Sequence, residues 1–121
     1  MTEIFAGKTD FSRQCIGLCG DGKIYAGYTW SKTLVGSYEN GLIYRGHTWS
    51  RTQIGGYEDG QIFIGYGWSK TIVGEYDEHW IYAGKNWSRT TVGSFSGRDG
   101  GAAAAAFLLL LNEDEKEGKN V

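Results

Sequence analysis

Four consecutive blocks of the chain are the same sentence written four times. DGKIYAGYTWSKTLVGSYE (21–39) runs directly into NGLIYRGHTWSRTQIGGYE (40–58), then DGQIFIGYGWSKTIVGEYD (59–77), then EHWIYAGKNWSRTTVGSFS (78–96). The period is 19 residues with no gap. EIFAGKTDFSRQCIGLCG (3–20) is a degraded fifth copy, with Phe11 in the Trp column and one extra residue between Gly7 and Phe11. A fixed period of this length marks one supersecondary unit used repeatedly, and it leaves almost no chain for a separate catalytic domain.

The columns assign roles. Ile24, Ile43, Ile62 and Ile81 never vary, and Val35, Ile54, Val73 and Val92 barely do, so both columns are expected in the core. Ala26, Arg45, Ile64 and Ala83 vary freely, as do Leu34, Gln53, Ile72 and Thr91, and these are expected to face water. Two glycine columns are fixed, Gly27/Gly46/Gly65/Gly84 and Gly36/Gly55/Gly74/Gly93, which calls for positive φ or a close approach of backbone. Asp21-Gly22, Asn40-Gly41 and Asp59-Gly60 lie between runs rich in Ile, Tyr, Val and Thr, the pattern of two-residue hairpin turns. Each repeat therefore predicts two strands, joined by a second bend at Gly-x-x-Trp-Ser.

The expected fold is all-β. Five repeats form an open β-solenoid or stacked-hairpin array over residues 1–97, followed by a Gly-rich hinge (98–101), a short apolar capping helix (102–111) and a charged, disordered tail (112–121). A closed ring or barrel of the same repeats is the alternative. Ten apolar residues are about half of what a membrane-spanning helix requires, so no transmembrane segment is expected.

Trp-Ser-Lys-Thr resembles a reactive cluster when read alone. It recurs at Trp49-Ser50-Arg51-Thr52, Trp68-Ser69-Lys70-Thr71 and Trp87-Ser88-Arg89-Thr90, with no base in the repeat. A serine nucleophile needs a general base within hydrogen-bond reach, and the chain has only His47 and His79. No catalytic residue, cofactor or metal site is expected; Cys15 and Cys19 read as free thiols. The net charge of −2 speaks against nucleic acid. The row Trp30, Trp49, Trp68, Trp87 with Lys32, Arg51, Lys70, Arg89 is the candidate ligand or interface row. Its alternative roles are core filling for the rings and a solvated ion-pair ladder with Glu39, Glu58 and Asp77 for the cations. Core filling is the expected role of the Trp and Tyr columns.

The IYxGxxWSxTxVG repeat over residues 3–96 resembles one found in small uncharacterised bacterial proteins, which implies no activity. DGKIYAGYTW, with Tyr25, Gly27 and Trp30, more loosely resembles the MORN repeat, although the Trp stands one residue later and the period is shorter. That likeness implies a hairpin array that scaffolds proteins or lipid surfaces. The expected function is a non-enzymatic structural or protein-interaction module, cytoplasmic, with no signal sequence read at its start. An exposed sheet edge and an apolar helix would make it a homo-oligomer. The alternative is a lectin-like module binding carbohydrate or cell-wall polymer through the aromatic rows.

Overall fold

A computed structural model describes residues 1–9, 11–27, 29–46, 49–65 and 67–111. Ten strands form one antiparallel barrel that closes on itself. They are β1 (Thr2–Ala6), β2 (Gln14–Gly20), β3 (Lys23–Ala26), β4 (Thr33–Glu39), β5 (Leu42–Arg45), β6 (Thr52–Glu58), β7 (Gln61–Ile64), β8 (Thr71–Tyr76), β9 (Trp80–Ala83) and β10 (Thr90–Ser96). Each strand pairs with its sequence neighbours, and β1 pairs with β10 from Glu3↔Ser96 to Ala6↔Gly93. The closed alternative is therefore the architecture, and the favoured open array is not. Closure removes the unpaired edges that an open array would leave.

Up-and-down connectivity places the connections alternately at the two ends. One end carries the tight turns. Asp21, Asn40 and Asp59 have φ of 51°, 52° and 48°, each followed by a glycine near 80°, the two positive angles that a type I′ turn demands. The fourth repeat has Glu78-His79 in that place. There Asp77 accepts hydrogen bonds from the backbone N–H groups of His79 (3.0 Å) and Trp80 (2.8 Å) instead. The other end carries the five bends, at residues 7–13, 27–32, 46–51, 65–70 and 84–89. Short 3₁₀ turns, Gly67–Ser69 and Asn86–Ser88, shape two of them.

Each of the five hairpins joined through a bend slips register once, leaving Ile16, Val35, Ile54, Val73 or Val92 as the extra residue of a β-bulge. The freed carbonyl is reused. Ile16 O accepts from Gly27 N–H (2.8 Å), Val35 O from Gly46 (3.2 Å), Ile54 O from Gly65 (2.8 Å), Val73 O from Gly84 (2.9 Å), and Val92 O from Gly7 (3.1 Å). The last bond joins the final repeat to the first. Bulges sharpen strand twist and coiling, which a small barrel needs in order to close.

The bore is filled by the chain's own C-terminal segment. The chain leaves β10, turns at Gly97–Asp99, and enters as α1 (Gly100–Ala106), continued by a π-helical turn over Phe107–Leu111. Ala102–Ala106 are buried, as are Phe107, Leu109, Leu110 and Leu111. The apolar helix expected as an end cap is thus the core itself. Ile4, Ile24, Ile43, Ile62 and Ile81 are fully buried against it, as the columns predict. The two glycine columns separate by cause. Gly27, Gly46, Gly65 and Gly84 sit at φ of 87–90°, whereas Gly36, Gly55, Gly74 and Gly93 lie where the plug touches the wall.

The water-facing expectation for Ala26, Arg45, Ile64 and Ala83 holds only for Arg45 and Ile64, which are exposed. Ala26 is half-buried against the core and Ala83 is half-buried. Leu34, Gln53, Ile72 and Thr91 are likewise half-buried, because they pair across the barrel's outer face with the aromatic column. The expectation of a disordered tail falls on 112–121, outside the described residues.

Candidate functional site

Phe11, Trp30, Trp49, Trp68 and Trp87 are 103%, 96%, 97%, 106% and 99% exposed. Core filling is therefore not the role of the Trp column. The bore has no room for it, since Ile side chains and the plug already occupy the interior. The rings stand instead in the five bends, all at the end opposite the tight turns. The sequence did hold a signal for this. Each ring sits between the strands rather than in one, beside Ser and Lys or Arg, where no inward–outward alternation reaches it.

The loop polar groups are engaged locally. Thr29 and Ser31 share a hydroxyl hydrogen bond of 2.8 Å, Thr9 and Ser12 one of 3.0 Å, and the Ser88 hydroxyl donates to Lys85 O at 3.0 Å. These bonds brace three of the bends locally. His79 stands in a tight turn at the other end, stacked edge-on against Trp80. No serine of the bends can use it as a base. His47 lies outside the described residues.

The cation column does not stand beside the Trp rings. Its side chains run along the outer wall, each over the aromatic ring of its own repeat. Arg13 lies 4.1 Å above Phe5, Lys32 5.2 Å above Tyr25, Arg51 3.8 Å above Tyr44, Lys70 4.7 Å above Phe63 and Arg89 3.9 Å above Tyr82. Tyr25, Tyr44, Phe63 and Tyr82 are thereby covered and offer no open stacking platform. Of the expected ion pairs, Arg51–Glu39 (2.7 Å) and Lys70–Glu58 (3.9 Å) form. Arg89 pairs with Glu75 (2.8 Å) in place of Asp77. Asp77 is taken by the Tyr82 hydroxyl (2.6 Å) and its own turn. Burial alone would raise the Asp77 carboxyl's pKa, but the hydrogen bonds from Tyr82, Trp80 and His79 outweigh it and hold it below the ordinary value.

At the tight-turn end a ring of Tyr38, Tyr57, Tyr76, Phe95 and Cys19 surrounds the entering plug. Asp99 accepts from the Tyr38 hydroxyl at 2.7 Å and from the Cys19 thiol through its carbonyl at 3.9 Å. Burial first, and the Asp99 hydrogen bond second, push the Tyr38 phenol's pKa up. Burial likewise raises the Tyr57 phenol and the Cys19 thiol, so the neutral forms of these three groups are favoured. Among the described residues no three His, Cys, Asp or Glu side chains gather to hold a metal, and no helix is long and apolar enough to cross a membrane.

No protein-family model matches this chain, no curated protein matches it, and no solved structure matches it.

Proposed function

We propose that the chain is a non-enzymatic binding module, a rigid barrel that engages its partner through the crown of Phe11, Trp30, Trp49, Trp68 and Trp87. The observation that carries this reading is the near-complete exposure of all five rings at one end. Five such rings bring on the order of 1,000 Å² of aromatic surface to that end, against a few hundred Å² for the largest apolar patch of a typical monomer. The module reading is supported further by Ser12, Ser31 and Ser88, whose hydroxyls are tied within their own bends. A reducing, cytoplasmic setting agrees with two unpaired cysteines. Neither feature that pointed to a homo-oligomer is on offer, because the sheet has no edge and the apolar helix is spent inside the barrel.

A second reading, a lectin-like module, draws on one local feature. Lys85, Asn86, Trp87 and Ser88 line a shallow open depression in which a ring lies beside amide and hydroxyl groups. The test is a quintuple variant, Phe11→Ser with Trp30→Ser, Trp49→Ser, Trp68→Ser and Trp87→Ser, screened beside the native chain against a glycan array, lipid vesicles and purified partner proteins. The native chain is expected to be retained by one class and the variant released, with the barrel's circular dichroism unchanged. A ligand held equally by both would sink the crown as the contact surface.

A further inference from the structure

The crown end and the tight-turn end differ in charge as well as in aromatic content. Among the described residues of the five bends the charged side chains are Lys8, Arg13, Lys32, Arg51, Lys70, Lys85 and Arg89, with no carboxylate, and Arg45 ends the strand that leads into one bend. Asp10 belongs to the first bend by sequence and lies outside the described residues. Asp21, Asp59, Asp77 and Glu78 occupy the tight turns, Glu39 and Glu58 end the strands beside them, and Asp99 lies in the hinge at that same end, where Lys23 and Arg98 are the cationic side chains among the described residues. The wall pairs neutralise part of the cation column, but Lys8 and Lys85 remain exposed next to the rings.

Resting on the crown as the binding surface, we propose that its partner is an anionic lipid surface, on which the barrel stands upright with the rings at headgroup depth. Repeat symmetry puts five rings at equivalent positions around one axis, which suits contact with a plane. The hydroxyls of Thr9, Ser12, Thr29, Ser31 and Ser88 are engaged within their bends, and among the described residues the carboxylates lie on the wall and at the far end. Tryptophan favours the membrane–water interface, where its ring is buried and its N–H stays wet. Basic groups beside such rings are drawn to anionic headgroups. A second copy meeting crown to crown is disfavoured, because it would bring like charges together.

The probe is the full chain with vesicles of phosphatidylcholine alone or with phosphatidylglycerol, followed by co-sedimentation and by indole quenching with brominated acyl chains. Binding to the anionic vesicles is expected to exceed binding to neutral ones by about tenfold or more and to weaken in high salt. Brominated lipid should quench the native emission, while Trp80, the one indole left in the quintuple variant, should go unquenched. Lys8→Glu with Lys85→Glu should lower anionic binding by about tenfold with the fold intact. Equal binding by the native chain and the quintuple variant would overturn the lipid proposal, as would absence of vesicle binding. If vesicles fail but a glycan or a protein partner separates native chain from variant, the lipid partner falls and the crown reading stands. If no probe separates them, both fall.

Discussion

Cys19 stands where the other repeats carry Tyr38, Tyr57, Tyr76 and Phe95, and this substitution sets its chemistry. A tyrosine there would reach toward the hinge; the smaller thiol leaves room beside Asp99 and the start of the plug. Burial, with the Asp99 charge adding to it, pushes the Cys19 thiol up to about 12 from 9.0. A raised pKa means that the folded state holds its proton more tightly than the unfolded chain. The stabilisation is therefore fully present below pH 9.0 and is lost as pH rises toward about 12. The thermal midpoint should fall across that window. Cys19→Ala should flatten the fall without abolishing it, because the raised Tyr38 phenol acts in the same direction. At neutral pH a soluble alkylating reagent should leave Cys19 unmodified until the chain is denatured, and rapid native labelling of Cys19 would contradict its burial.

At the scale of elements, the fourth hairpin shows how far one side chain can replace a turn sequence. Its Glu78-His79 lacks the positive-φ pair of the other three turns, and Asp77 supplies two backbone acceptor contacts in their place. Asp77→Ala should cost about 1–2 kcal/mol in denaturant unfolding, since it strips partners from two backbone donors and a phenol. Because the folded carboxyl lies below its ordinary 3.8, its contribution is present above that pH and is lost as pH falls. The variant should show a shallower acid limb. A variant as acid-sensitive as the native chain would refute the role. The tight turns themselves were legible, because Asp-Gly and Asn-Gly have few other uses between strand-like runs. So were the Ile column and the strands. The bulges were not, since an extra Val looks like any other apolar residue in a run. Closure was not either, because it rests on long-range pairing of β1 with β10 and on one bond from Gly7 to Val92. The Trp column misled because a fixed aromatic satisfies the sequence criterion for core and for surface alike.

At the scale of the whole molecule, five repeats meet five consecutive plug residues. A Cβ on Gly93 would meet Phe107, one on Gly74 Leu108, one on Gly55 Leu109, one on Gly36 Leu110 and one on Gly17 Leu111. An α-helix turns each residue by about 100°, too far for five in a row to face five walls of one ring. The wider i→i+5 turn over Phe107–Leu111 rotates each residue less, so five consecutive side chains come nearer to an even spread around the ring. The π-helical turn thus fits the fivefold bore, and glycine is required where each side chain arrives. A double-mutant cycle tests this register. Gly36→Ala places a Cβ 2.6 Å from Tyr44 O and 2.7 Å from Leu110 Cδ1, and should destabilise by about 1–3 kcal/mol. Leu110→Ala leaves a void in the bore and should cost about 2–5 kcal/mol. Together they should fall short of their sum by about 1 kcal/mol, because removing the leucine relieves half of the clash. Gly36→Ala with Leu108→Ala, whose side chain faces Gly74, should add to within about 0.5 kcal/mol. Equal coupling in the two cycles would mean that the plug has no fixed register on the repeats. In that case the match of five residues to five walls would be coincidence rather than the rule that shapes the core.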